Sequence, residues 1–199
     1  MTVSLVTPPA ALPVSMTELR EYILTAPDED ANLLLSLMTA AVGKAQSLTG
    51  LTFVTSVWDM RLDAFPVGDE AIELGTPLQG VASISYVDAE GDTQSMDSIS
   101  YVVDTFARPG KVWPAYGTEW PEARSQRNAV VVRYTAGWDV TAGVWAGPAD
   151  ISTWIKLRTS SLYEHRDALA QLSRQNLMAA IPRDFADGLL DDYIVRGTV

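Results

Sequence analysis

Seven apolar residues recur at three- and four-residue spacing over residues 34–48, which is the period of one face of an α-helix. An acidic run at residues 28–30 precedes them and suits the positive end of a helix dipole, and Gly50 stands where such a helix would end. A helix of this length spans roughly 30 Å, about the diameter of a small domain. Other parts of the chain must cover its apolar face, whose members are Leu34, Leu37, Met38, Ala41, Val42, Ala45 and Leu48.

Further helices are predicted toward both ends of the chain. Ser15, with a glutamate three positions later, forms a capping-box pattern, so a short helix is expected over residues 16–24. After Pro148 a wide apolar face predicts a helix of about four turns, and residues 185–194 predict a last short helix. Residues 167–180 either continue the helix after Pro148 or fold back on it, and the pattern favours neither.

The middle of the chain, residues 52–138, changes to a period of two, which is typical of half-buried strands. A turn at residues 88–92 predicts a hairpin, and an aromatic stretch punctuated by Pro and Gly, residues 109–121, predicts a loop. The first fourteen residues hold three prolines and no helical period, so they predict an extended arm. The predicted strands cover residues 52–62, 71–74, 81–87, 93–96, 99–103 and 129–135.

The order of helices, strands and helices predicts an α+β fold. We expect a small helical bundle built from both chain ends, with an antiparallel β-rich insertion. The predicted boundaries are 1–51 for the N-terminal arm and bundle helices, 52–147 for the β-rich insertion, and 148–199 for the C-terminal bundle helices and tail.

Charge and composition exclude several classes of protein. The 25 acidic residues outnumber 14 basic ones, a net charge of −11, and no basic cluster suited to gripping phosphates is present. There is no cysteine, which excludes disulfides and thiolate metal sites. The longest charge-free apolar stretch, residues 31–43, is too short to cross a bilayer, and the N-terminus lacks the pattern of a signal peptide. We therefore expect no membrane association and assembly in the cytoplasm.

Candidate catalytic and metal-binding residues are few. His165 is the only histidine, and its place near the predicted end of a helix favours a capping or packing role over catalysis. Asp88, Glu90 and Asp92 alternate as in a calcium loop, but Gly91 and Ile99 do not fit the spacing of that motif, which favours a polar hairpin turn. The sequence predicts no enzyme, no cofactor and no metal.

Three aromatic residues of the predicted loop, Trp113, Tyr116 and Trp120, form the most distinctive candidate site. They suit either a platform on which a sugar ring stacks or packing against the sheet or a neighbouring subunit. Packing or an interface is the favoured interpretation of the two.

Seven sequence segments, which follow one another along nearly the whole chain, resemble the head–tail connector family of tailed phages, in its longer form with a β insertion. The segments are VTPPAALPVSMTELR at residues 6–20, the acidic turn at 28–30 with the helix end at 48–50, TSVWDMRLDAFP at 55–66, PLQGVASISYVDAEG at 77–91, PAYGTEWP at 114–121, AVVVRYTAG at 129–137 and LYEHR at 162–166.

The resemblance implies a virion structural protein of the neck. Such a protein would form a homo-oligomeric ring, expected to be dodecameric, under the portal protein, and would extend the DNA channel without binding DNA specifically. It would also dock the next neck or tail-completion protein. On the same grounds, Tyr193, Ile194, Val195 and Arg196 are predicted to form a tail segment that becomes ordered on docking to the portal.

Two alternatives remain open beside the connector. One is a different neck or tail-completion protein of the virion. The other is a β-rich carbohydrate-binding module that uses the loop from Trp113 to Trp120.

Overall fold

The computed structural model describes residues 1–24, 30–164 and 187–195. The fold is α+β, as predicted. Contacts group the chain into two compact units. The sheet unit contains Met1–Ala10 and Val54–Trp138, and the helical unit contains the described residues of Ala11–Phe53 and Asp139–Arg196. The division into three sequence segments stays a prediction.

The sheet unit consists of two antiparallel sheets. One sheet has five strands in the order β1-β2-β8-β4-β5, and the other has three in the order β3-β7-β6. A single 3-10 turn, Ser98–Ser100, leads into β6. The strands are β1 (Thr2–Thr7), β2 (Ser56–Leu62), β3 (Ile72–Leu74), β4 (Leu78–Val87), β5 (Thr93–Ser95), β6 (Tyr101–Asp104), β7 (Gly110–Pro114) and β8 (Val130–Ala136).

Strand β8 illustrates why the alternating pattern forms a sheet with one buried face. Its residues 130, 132, 134 and 136 are buried, whereas the intervening Val131, Arg133 and Thr135 lie on the opposite face. Both sheets contribute to one core, and burying a large aliphatic side chain there contributes about 1.5–3 kcal/mol. The core residues are Met60, Ile72, Leu74, Leu78, Ile84, Val112, Trp120, Val130, Val132, Tyr134 and Ala136.

One prediction for this part of the chain needs correction, and a second needs an addition. The stretch 109–121 was expected to be a loop, but Gly110–Pro114 is strand β7, the middle strand of its sheet. Its prolines lie at or beside the strand ends, where a missing N–H is tolerated, so they did not mark a loop. The N-terminal arm is extended as expected, and Thr2–Thr7 in addition pairs with β2 as an edge strand.

The helical unit is built from α1 (Met16–Ile23), α2 (Ala31–Thr49), α3 (Ala149–Glu164), a 3-10 helix (Asp187–Tyr193) and a small hairpin of β9 (Val140–Thr141) and β10 (Val144–Trp145). Helix α2 packs on α3, and the 3-10 helix packs on both. The hairpin was not predicted, because two-residue strands leave no periodic pattern. The expected last helix is present, in its described part, as the 3-10 helix.

The caps confirm two predicted helix boundaries, the start of α1 and the end of α2, whereas α2 begins at Ala31 with no acidic residue in its first turn. Ser15 is the N-cap of α1, and its Oγ accepts the backbone N–H of Glu18 at 3.1 Å. The Glu18 side chain pairs with Lys156 of α3, at 2.8 Å between Oε1 and Nζ. Gly50 ends α2 with φ of 71°, the left-handed conformation that glycine adopts without strain.

The predicted stripe on α2 is correct over most of its length and wrong at its end. Leu48 is 38% exposed, whereas Thr49 is fully buried. The hydroxyl of Thr49 donates to the carbonyl of Ala45 at 2.9 Å and accepts the N–H of Leu51 at 3.2 Å, so the buried polar group is satisfied. The buried residues of α2 are Leu34, Met38, Ala41, Val42, Ala45 and Thr49.

Several predictions concern residues outside the described ones. They are the place of Asp28 and Glu29 before the long helix, the place of His165 near a helix end, and whether residues 167–180 continue the helix after Pro148 or fold back on it. Within the described part of the chain, no helix combines the length and apolar character needed to span a membrane.

Candidate interaction surfaces

An open depression of about 610 Å³ lies on the sheet unit where β7 ends. Trp113 lines it from the outer face of β7, opposite Val112, which is buried in the core. Tyr116 lines it from the following turn and is fully exposed. Asp69 and Glu119 add two carboxylates to the lining. We call this site the aromatic depression.

The turn that carries Tyr116 is held by local hydrogen bonds. The carbonyl of Ala115 accepts both the backbone N–H of Thr118 at 2.9 Å and its hydroxyl at 2.6 Å. Gly117 has φ of 76°, a conformation that most residues avoid. Tyr116 is therefore presented to solvent by a defined turn.

Trp120 does not join the other two aromatic residues at this surface. It is buried in the core, its ring is stacked on Phe65 with centroids 5.1 Å apart, and its Nε1–H donates to the carbonyl of Glu70 at 2.8 Å. Of the three residues predicted as an aromatic interface, Trp113 and Tyr116 share a site, and Trp120 packs on the sheet.

The predicted docking segment at the C-terminus is partly described. The Tyr193 hydroxyl donates to the carboxylate of Asp150 at 3.0 Å, and the N–H of Val195 donates to the carbonyl of Thr49 at 2.8 Å. Ile194, between them, is 45% exposed. Arg196 lies outside the described residues. Tyr193 and Val195 are thus attached to the first turn of α3 and the last residue of α2.

A charged cluster that the sequence analysis missed lies on the outer face of the five-stranded sheet. Arg133 of β8 binds Asp59 of β2 through two hydrogen bonds, and Arg61 lies 3.9 Å from the same carboxylate. The hydrogen bond from Arg133 is the main reason that the pKa of Asp59 lies below its ordinary value. The pairing of β2 with β8 brings these residues together, and a single sequence gives no signal of that pairing.

The turn at residues 88–92 is a polar hairpin turn, as favoured over a calcium loop. The Asp88 carboxylate accepts the backbone N–H groups of Gly91 at 3.0 Å and Asp92 at 2.8 Å, and the side chain of Gln94 at 2.7 Å. These bonds, led by that of Gln94, hold the pKa of Asp88 below its usual value. Among residues 1–24, 30–164 and 187–195, no cluster of acidic, His or Cys side chains suits a metal ion.

Comparison with known proteins gives matches in structure alone. No family model and no curated protein matches the chain. A chain in the neck of the empty gene transfer agent (GTA) particle, computed with C6 symmetry, superposes with a TM-score of 0.76 at 20% identity. A chain in the virion of the native particle gives the same values, and one in the native neck with C12 symmetry gives 0.75 at 19%.

Each of these superpositions covers 100% of this chain and 98% of the other. At such low identity the likeness is one of fold. The chain therefore has, over its whole length, the fold of a chain found in GTA particle necks.

Proposed function

We propose that this protein is a structural component of a virion neck: a head–tail connector of a tailed phage that forms a ring under the portal protein. The observation that carries the proposal is the agreement in fold, over the whole chain, with chains from GTA particle necks. The connector-like segments of the sequence support the same assignment.

The proposed assembly is a closed ring, in which one surface of a subunit contacts a different surface of its neighbour. The C12 symmetry of one neck structure that shares the fold supports a ring of twelve copies, and the C6 symmetry of another is compatible with that number. The ring would extend the DNA channel of the portal and present its far side to the next neck or tail-completion protein. The complex would be assembled in the host cytoplasm and remain in the virion.

The charge of the chain supports a channel through which DNA passes without being held. The net charge of −11 opposes adhesion of the phosphate backbone. The exposed arginines of the five-stranded sheet, Arg61 and Arg133, flank the carboxylate of Asp59, which offsets part of their charge.

Portal docking is assigned to the C-terminal segment, with Tyr193, Ile194, Val195 and Arg196 as contacts. Two hydrogen bonds fix where the segment leaves the helical unit, and the exposed Ile194 offers an apolar contact. A short segment anchored at one end loses less entropy on docking than a free one would. Trp113 and Tyr116 are assigned to an interface with a neighbouring subunit or with the tail-side protein.

The experiment is to co-express the chain with the portal protein of the same phage and examine the complex by size-exclusion chromatography and negative-stain microscopy. We expect an annulus stacked on the portal ring. Co-expression that yields portal rings alone would contradict the connector role and favour another neck or tail-completion protein.

A chain that ends at Val195 separates portal docking from folding. It keeps the hydrogen bond between Val195 and Thr49. We expect its thermal unfolding to be unchanged and its affinity for the portal to fall at least about tenfold, or about 1.4 kcal/mol. Unchanged affinity would remove the docking role of Arg196 and the residues beyond it.

The aromatic depression supports one candidate from another class, a carbohydrate-binding module. Exposed aromatic rings beside carboxylates suit the faces and hydroxyls of sugars. A panel of cell-wall oligosaccharides should leave the Trp fluorescence of a connector unchanged. Quenching that disappears in Trp113→Ala would favour the module.

A further inference from the structure

The sheet unit carries an exposed aromatic side chain with no core role. Phe106 lies in the turn between β6 and β7 and is 95% exposed. One carboxylate oxygen of Asp104 accepts the backbone N–H groups of Phe106 at 2.8 Å and Ala107 at 3.1 Å, so the turn is fixed by its own hydrogen bonds. Leaving such a ring in water forgoes the favourable free energy of burying an aromatic side chain.

The same unit carries an apolar groove of about 250 Å³. Met60, Leu62, Pro66 and Ile72 line it with apolar side chains, and Glu73 adds a carboxylate. A cavity of about 150 Å³ is enough to hold a benzene molecule, so this groove has room for a phenyl ring. We call it the β3 groove, because Ile72 and Glu73 belong to that strand.

Phe106 and the groove lie at opposite edges of the three-stranded sheet. The strand order β3-β7-β6 places the groove strand at one edge and the strand leading to Phe106 at the other. The ring of Phe106 is exposed and therefore does not occupy the groove of its own chain. A contact between the two would join different surfaces of two copies, which is the kind of contact that generates rings.

The charges around the two surfaces are complementary. Residues 62–74, which flank and line the groove, contain four carboxylates and no basic residue, and one of the four, Glu73, already pairs with Lys111 of β7 at 3.4 Å. The turn presents Arg108, which is exposed and has no ion-pair partner among residues 1–24, 30–164 and 187–195. The carboxylate of Asp104 in that turn is already engaged by backbone N–H groups.

We propose that Phe106 of each subunit inserts into the β3 groove of the next copy, with Arg108 facing the acidic rim of that groove. This contact rests on the proposed ring and specifies how its subunits meet. The proposed contact is directional, because Phe106 and the groove that receives it lie at different edges of the three-stranded sheet in each copy.

Cysteine cross-linking tests the contact directly, because the chain contains no cysteine of its own. Ala107→Cys places a thiol beside Phe106, and Ala71→Cys places one in the groove lining. The double variant is co-expressed with the portal protein, treated with a short bismaleimide and run on a denaturing gel. The two single variants are the matched controls.

The double variant is expected to give a ladder of dimers, trimers and larger species, whereas each single variant remains mostly monomeric. A product that stops at the dimer would overturn the proposal, because it indicates two copies exchanging contacts symmetrically. Rings visible by negative stain without any cross-link would also overturn it and leave the connector role intact. Absence of wild-type rings on the portal would overturn both.

Charge substitution gives an independent test. Phe106→Asp removes the inserted ring without touching the core, and Val144→Asp makes the same change at an exposed apolar residue of the helical unit. Phe106→Asp should reduce the yield of rings at least tenfold with unchanged thermal unfolding, and Val144→Asp should not. Equal yields from the two variants would contradict the contact.

Discussion

Asp59 and Arg133 face each other across the β2–β8 pair and form a two-point ion pair on the outer face of the five-stranded sheet. Nε of Arg133 donates to Oδ1 of Asp59 at 2.7 Å, and Nη2 donates to Oδ2 at 2.9 Å. The Asp59 side chain is only 5% exposed, whereas that of Arg133 is 47% exposed. A nearly buried carboxylate is thus satisfied by a guanidinium that remains in contact with water.

Asp59→Asn should lower the free energy of unfolding by about 1–3 kcal/mol, because a bidentate bond to a charged group is lost. The partial exposure of Arg133 keeps the cost below that of a fully buried pair. Urea denaturation checks this. Asp92→Asn, in an exposed turn, makes the same chemical change and should alter stability by less than about 0.5 kcal/mol.

The same pair predicts a pH dependence. The hydrogen bond from Arg133 lowers the pKa of Asp59 in the folded state below the unfolded value. Its stabilisation is therefore complete above the unfolded pKa and is lost as the pH falls through the folded pKa. The difference in stability between wild type and Asp59→Asn should be constant near pH 7 and shrink below about pH 5. A difference that grows on acidification would contradict the assignment.

Gly137 should tolerate no side chain. Its φ is 112°, and a Cβ there would collide with the backbone of Val54 and Thr55. A strained φ alone costs about 1–3 kcal/mol. Gly137→Ala should lower the free energy of unfolding by more than that, because the collision adds to the strain. Gly117 also has positive φ but open space around it, so Gly117→Ala is the matched control and isolates the collision. Equal losses in thermal stability would mean that the backbone near Val54 can move aside.

Trp120 and Tyr116, four residues apart, should respond in opposite ways to truncation. Trp120→Ala removes a stacked, hydrogen-bonded core ring and should cost about 3–5 kcal/mol of stability. Tyr116→Ala removes a fully exposed ring and should leave stability within about 0.5 kcal/mol. Differential scanning calorimetry distinguishes the two. Assembly on the portal should be impaired by Tyr116→Ala if the aromatic depression is an interface.

Removing the N-cap of α1 should lower the free energy of unfolding by less than the loss of a core side chain. Ser15→Ala removes the acceptor for the N–H of Glu18 and should cost about 1 kcal/mol. Ser15→Asp retains an acceptor and should restore most of the loss. If both variants unfold like wild type, the N-terminus of α1 contributes nothing to the stability of the helical unit.

Local signals in the sequence predicted local structure well. The stripe on α2 and the Ser15 cap each depend on residues within a few positions of one another, and Gly50 marks the helix end directly. The fold class followed because the period of apolar residues changes from that of helices to that of strands and back to that of helices along the chain. Strand β7 was missed because the prolines at and beside its ends and its first residue, Gly110, indicated a loop.

The parts that sequence reasoning did not reach depend on contacts between distant residues. Asp59 and Arg133 are 74 positions apart, and the residues of β1 pair with residues fifty or more positions away. Nothing local distinguishes Trp120, which is buried, from Tyr116, which is exposed. The β3 groove likewise combines residues of β2 with residues in and before β3, and these strands belong to different sheets, so its existence follows from tertiary packing rather than from a motif.

Cryo-electron microscopy of purified virions tests the connector assignment most directly. A reconstruction of the neck should contain a closed ring of this chain between the portal and the tail, with twelve copies and the C-terminal segment of each in contact with the portal. Density between portal and tail that fits other chains, with this fold located elsewhere or absent, would contradict the account.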